Sequence, residues 1–168
     1  TNHTYFMREA SHFDFLVEQV LPYWKKRMVQ KDLRIWCAAC ASGEEAYTLA
    51  ILIDEFFGKE KIMWDTKVLA TDLSRQVLEK AQMGYYKKEE VEMLPIQWQK
   101  KYFTKFNEKM FVVQKHLKDE VIFRQFNLVS ASYPFKRKFH IIFCRNVMIY
   151  FDEETRRQLL IKFHEVLE

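Results

Sequence analysis

The sequence predicts an α/β fold built on a short parallel sheet, on three observations. The stretch WCAACASGEEAY at 36–47 ends an apolar strand in small residues and restarts as an acidic helix. A second strand, KVLATD at 67–72, ends in a carboxylate, and a third, FHIIFCRN at 139–146, ends in a polar pair. Buried parallel strands read as short apolar runs, and open α/β sheets build their ligand sites at the ends of such strands.

Residues 1–9, TNHTYFMRE, are polar and aromatic without periodicity. Phe13, Leu16, Val17, Val20, Leu21 and Trp24 then recur at helical spacing, and Pro22 predicts a kink or a stop near Val20. Leu33, Ile35, Cys37 and Ala38 form the first strand, and the small residues at 39–42 let backbone approach a ligand. Gly43 is one of only three glycines. After it the helix carries Tyr47, Ala50, Ile51, Asp54 and Phe57. The second strand leads to a helix marked by Leu73, Val77, Leu78 and Ala81, with Gly84 as its C-terminal cap, completing a βαβ unit.

Residues 85–103 are weakly helical around Val91, Leu94 and Trp98, with Pro95 interrupting. At 102–126 two apolar runs, one through Phe111, Val112 and Val113 and one through Val121, Ile122, Phe123 and Phe126, flank a polar stretch. They predict an inserted antiparallel β-ribbon. The strand at 139–145 reads as an open sheet edge, and Asp152, Glu153 and Glu154 open a last helix carrying Leu159, Leu160, Phe163 and Leu167.

With 168 residues, 49% hydrophobic, the chain is sized for one domain, and fifteen Phe, eight Tyr and four Trp exclude disorder. The net charge of +4 comes from scattered basic pairs, which read as solvated surface. A phosphate-tracking groove is excluded because no basic cluster surrounds Phe103, Phe106, Phe111 and Phe126, so nucleic acid is not expected as a partner. No apolar run approaches the ~20 residues of a membrane-spanning helix. Three cysteines form no disulfide framework, which points to a cytoplasmic setting. Cys37 and Cys40 lack the second pair a zinc site requires, so no metal is expected. The chain opens without Met and ends within a helical pattern at Glu168, and reads as part of something longer.

Asp72, at the end of the second strand, is placed to accept hydrogen bonds from a ribose diol, or else to cap the helix starting at Ser74. A turn with one glycine and two glutamates suits a cofactor with a cationic end better than one presenting a pyrophosphate. S-adenosylmethionine has such an end. Glu44 or Glu45 then pairs with its ammonium, helix phase deciding which, and Arg8 pairs with its carboxylate. Asp72 holds the ribose, and Asn127 and Leu128 face the adenine. Each has a plainer reading: Arg8 as a surface ion pair with Glu9 or Asp14, Tyr150 as packing under its loop, Arg145 and Asn146 as a strand end.

Four ordered motifs, TNHTYFMRE, IWCAACASGEEAY, LATDLS and FCRNVMIYFD, make the chain resemble the chemotaxis receptor methyltransferases of the CheR type, which methylate glutamates of chemoreceptors. The resemblance implies an incomplete Rossmann-like S-adenosylmethionine-dependent methyltransferase fold spanning 1–168, with the small β-subdomain inserted at 102–126. It implies that Asn2, Thr4, Arg8, Glu45, Asp72, Asn127, Leu128, Arg145 and Asn146 surround the cofactor. Arg8 and Tyr150 are the catalytic candidates, Tyr150 lying near the transferred methyl. The implied product is S-adenosylhomocysteine, and the implied partner is the cytoplasmic domain of a chemoreceptor, whose tether peptide docks on the β-subdomain in some members. This chain has Ala41-Ser42 and Ala46 where the family usually has Ser-Thr and Pro. It also lacks the family's N-terminal helical domain and last three strands.

A glutamate acceptor with a pKa of ~4.3 is already a carboxylate at neutral pH, so no general base is expected. Catalysis then rests on holding oxygen, carbon and sulfur in line, an effect that supplies up to ~7–11 kcal/mol. Two alternatives stand beside this reading: a non-catalytic cofactor-binding sensory or docking module, and a methyltransferase of another substrate.

Overall fold

The structure, a computed structural model, describes residues 3–168. The first helix does not stop at Pro22. It runs on as α1 (Ala10–Phe15), a π-helical turn (Leu16–Val20) and α2 (Leu21–Arg27). Pro22 stands in the first turn of α2, and the widened turn just before it accommodates the hydrogen bond that proline does not donate.

The rest follows as β1 (Ile35–Ala38), α3 (Glu44–Phe57), β2 (Val68–Asp72), α4 (Arg75–Met83), β3 (Tyr85–Lys87), α5 (Lys88–Val91) and α6 (Ile96–Tyr102). Next come β4 (Phe103–Lys105), β5 (Met110–Val113), α7 (Lys115–Lys118), β6 (Val121–Gln125), β7 (Ile141–Cys144) and α8 (Glu153–Glu165). Local chemistry sets the helix ends. Ser74 Oγ accepts the Val77 N–H at the start of α4, Gly84 closes it in the left-handed region at φ 71°, and Asp152 accepts the Thr155 N–H at the start of α8.

Four strands form a parallel sheet in the order β6-β2-β1-β7, and three form an antiparallel sheet in the order β3-β5-β4. This corrects the expected ribbon at 102–126. Val121–Gln125 pairs with β2 in the main sheet, Val68 opposite Val121 and Asp72 opposite Gln125. Its place in the small sheet is taken by Tyr85–Lys87, from the stretch read as weakly helical. Among the described residues β7 is an edge strand, although its apolar pattern is that of a buried one.

Because strand side chains alternate between faces, β1 feeds two cores. Ile35 and Cys37 join the cluster under α1 and α3, whereas Trp36 and Ala38 join a second one under α8. Trp36 is fully buried, ringed edge-on by Phe126, Tyr133, Phe135 and Phe163, and its Nε1 donates to Thr71 Oγ1 at 2.9 Å. Ala38 pairs with Thr71 on one side and Cys144 on the other, so β1, β2 and β7 end level with one another. Every loop that leaves the parallel strands therefore starts from one edge.

Candidate functional site

At that edge lies a cavity of about 330 Å³. Thr4 and Arg8 reach it from the amino-terminal segment, Glu45 from the first turn of α3, Asp72 from the end of β2, and Asn127 and Leu128 from the loop after β6. Arg145, Asn146 and Tyr150 reach it from the loop after β7. The structure thus brings together all the sequence-predicted site residues that it describes. Asn2 lies outside the described residues.

The turn after β1 is shaped by its backbone. Ala39 and Ala41 adopt left-handed conformations at φ 59° and 48°, and Gly43 at 97°. Such values are strained for alanine, and interactions on both sides hold them. The Cys40 N–H donates to the Thr71 carbonyl at 2.8 Å, and the Ala41 N–H to Asp72 Oδ2 at 2.9 Å. A Cβ on Gly43 would lie 2.8 Å from both Ala81 Cβ and the Tyr86 hydroxyl, so only glycine fits there.

Asp72 does not cap α4, the alternative expected of it, but lies one hydrogen bond away from the cap. Oδ1 accepts the Ser74 N–H at 2.9 Å, while Ser74 itself is the N-cap, and the carboxylate also lines the cavity. A carboxylate has about four acceptor positions, so these two bonds leave capacity for a diol.

The choice between the two glutamates is one of helix phase, and Glu45 faces the cavity. Glu44 turns inward, 1% exposed, and takes the Ser42 hydroxyl at 2.7 Å. Burial pushes its carboxyl above the ordinary range, against the lowering effect of the Ser42 bond. Glu45 is held instead by Arg145, with Nε and Nη2 both 2.8 Å from Oε2. Arg145 also donates from Nη1 to the Arg8 carbonyl at 2.8 Å, and its guanidinium lies 4.7 Å from the centre of the Phe13 ring. Arg8 donates to the His3 carbonyl at 2.6 Å, which folds the amino-terminal segment over the cavity.

The opposite wall is apolar. Phe126, Leu128 and Val129 line it, and Asn127 Oδ1 accepts the Val129 N–H at 3.1 Å, fixing the loop. Phe126 and Val129 are not among the cofactor residues expected from sequence; their signal for the site is adjacency to Asn127 and Leu128. Ala39, Cys40 and Ala41 line the cavity as the small residues expected to let backbone approach a ligand, and Val147 is a further lining residue that sequence reasoning missed. Tyr150, in the 3₁₀ turn Met148–Tyr150, is 59% exposed at the rim.

The cysteine thiols are unsuited to nucleophilic work. Burial raises Cys37 and Cys40 well above the usual thiol range, and pushes Cys144 up to about 12. Among the described residues no group of three His, Cys, Asp or Glu is arranged to hold a metal ion, and no helix is long and apolar enough to cross a membrane.

A family model described as CheR methyltransferase, SAM binding domain, matches residues 2–168. The chain is 43% identical to a chemotaxis protein methyltransferase of Borreliella burgdorferi, covering 100% of this chain and 60% of that protein. It is 37% identical to one of Escherichia coli, covering 100% and 57%. The chain thus spans less than two thirds of the length of these curated relatives. Among solved structures, DszA carbon methyltransferase superposes with a TM-score of 0.52 over 95% of this chain and 33% of its own, at 13% identity, a likeness of fold.

Proposed function

The chain belongs to the CheR methyltransferase SAM-binding domain family, and on that premise we propose that it is the cofactor-binding part of an enzyme methylating glutamate side chains of chemoreceptors. The observation that carries this reading is one cavity, at the level ends of parallel strands, that gathers two carboxylates, two guanidinium groups and an apolar wall. Those groups fit the ribose, ammonium, carboxylate and adenine of S-adenosylmethionine in charge and polarity. When bound, this cofactor supplies an electrophilic methyl on a sulfonium and leaves as S-adenosylhomocysteine.

In this reading Asp72 accepts from the ribose hydroxyls and Glu45 faces the ammonium, with Arg145 keeping its carboxylate oriented. Arg8 faces the cofactor carboxylate and closes the amino-terminal segment over the site. Leu128, with Phe126 and Val129, flanks the adenine. Asn2, Thr4, Asn127 and Asn146 complete the polar lining by the resemblance of their motifs. Tyr150 stands at the rim and orients the acceptor carboxylate, which needs no general base because it is ionised at neutral pH. The setting is cytoplasmic, where the acceptor glutamates of a chemoreceptor lie. Among the described residues β3 and β4 are the outer strands of the antiparallel sheet, and an edge of that kind suits an extended receptor tether joining as a further strand.

The test incubates the full-length protein with methyl-labelled S-adenosylmethionine and receptor. Base-labile label on receptor glutamates is the expected result. Cofactor binding without label on any acceptor would leave a sensory or docking module, and label on another molecule would leave a methyltransferase of different substrate.

A further inference from the structure

Tyr86 is not among the residues that line the cavity, yet it is joined to two of the chain segments that build it. It belongs to β3 of the antiparallel sheet and is 1% exposed. Its hydroxyl donates to the Ser42 carbonyl at 2.6 Å, across 44 residues, and stands directly against Gly43. Ser42 and Gly43 lie between Ala41, whose N–H meets Asp72, and Glu45, which faces the cavity.

The same ring packs edge-on against Phe6, with centroids 4.9 Å apart, and Phe6 packs against Phe103 of β4 at 5.5 Å. Phe6 is 2% exposed and lies midway between Thr4 and Arg8. Next to it, the Met7 N–H donates to Thr48 Oγ1, and that hydroxyl donates to the Glu44 carbonyl at 2.7 Å. The amino-terminal segment and the turn after β1 are therefore tied to each other, and Tyr86 braces both.

We propose that Tyr86 is a positioning residue for the cofactor: from the antiparallel sheet, it fixes the turn that carries Glu45 and the segment that carries Arg8. This rests on the reading of the cavity as the S-adenosylmethionine pocket. Burial, followed by the neighbouring Glu44 charge, drives the Tyr86 phenol well above its ordinary range, so it remains a donor at every working pH. Without that donor the Ser42 carbonyl, on a residue 7% exposed, is left unsatisfied and the turn is free to shift.

Tyr102 supplies the comparison. It is also fully buried, and its single hydroxyl proton is shared at the far end of α3, between Asp54 Oδ2 at 2.6 Å and Glu55 Oε1 at 2.8 Å. A purely structural role predicts the same outcome for both tyrosines.

The experiment measures S-adenosylhomocysteine affinity by calorimetry, KM and kcat for methyl transfer, and Tm, in the intact protein with Tyr86→Phe, Tyr102→Phe and Phe6→Leu. Tyr86→Phe is expected to weaken cofactor binding and raise its KM about tenfold with kcat nearly unchanged. Phe6→Leu should move the same quantities in the same direction, which keeps the test decisive if Tyr86→Phe does not fold. Tyr102→Phe should lower Tm and leave cofactor affinity at the wild-type value. Wild-type affinity in Tyr86→Phe, or equal losses in the two tyrosine variants, would overturn the proposal. Wild-type protein that takes up no cofactor overturns the pocket reading as well, so the two failures are distinct.

Discussion

Arg145 and Glu45, one hundred residues apart in sequence, meet at the cavity wall with Nε and Nη2 both 2.8 Å from one carboxylate oxygen. Their side chains are only 9% and 11% exposed. A buried pair of this kind is weak in net terms but costly to break, because removing one partner strands the other charge. Arg145→Ala is therefore expected to lower the unfolding free energy by about 3–5 kcal/mol in urea titration. The double change Arg145→Met with Glu45→Gln should recover most of that loss. A double variant as unstable as the single one would show that the pair is not what holds this wall.

Asp72 joins three functions: it accepts from Ala41, accepts from Ser74 and faces the cavity. Asp72→Ala should weaken cofactor binding about ten- to a hundredfold, the range for losing hydrogen bonds to a charged group. Asp72→Asn, which retains one acceptor oxygen, should lose less. Unchanged calorimetric affinity in the alanine variant would remove Asp72 from the site.

The turn after β1 carries its strain on alanines and its crowding on glycine. Ala39→Gly and Ala41→Gly should each raise stability by about 0.5–1 kcal/mol, since relief at φ 59° and 48° outweighs the added freedom of the unfolded chain. Gly43→Ala should lower it by roughly 2–4 kcal/mol, through a φ of 97° and overlaps at 2.8 Å. Thermal melts of the three variants check both signs.

Glu44 sets a pH dependence. Burial raises its folded value above the ordinary 4.5, so the folded state holds the proton more tightly than the unfolded chain does. Its contribution to stability is then fully present below the unfolded value, and is lost as pH rises through the folded one. Glu44→Gln should abolish that decline, so the variant gains on the wild type with rising pH across this window. Parallel urea titrations of the two proteins on either side of it give the difference directly; a constant difference would exclude Glu44 as its source.

Much of the site was legible because parallel strands announce their ends. Ala38, Asp72 and Cys144 each close an apolar run, and the residues just beyond those runs line the cavity. The small sheet was read poorly because its cues are non-local. Tyr85–Lys87 is too short to carry a period, and Val121–Gln125 has a pattern that fits a ribbon and a main-sheet strand equally well; only the identity of the partner strand decides. Neighbouring glutamates on a helix are likewise resolved by the angle at which Gly43 launches α3, which a one-dimensional pattern does not contain.

The central strand has a further consequence, in time rather than in space. β1 is flanked by β2 from nearby sequence and by β7 from far along the chain, and at the foot of the second pairing the Arg34 N–H bonds His140 across 106 residues. During synthesis one side of β1 stays bare until β7 emerges, and closing so long a loop is slow. The wall formed by Arg145 is thus completed only after β7 has docked. Cofactor uptake by the nascent chain would mark the moment at which β7 has docked on β1.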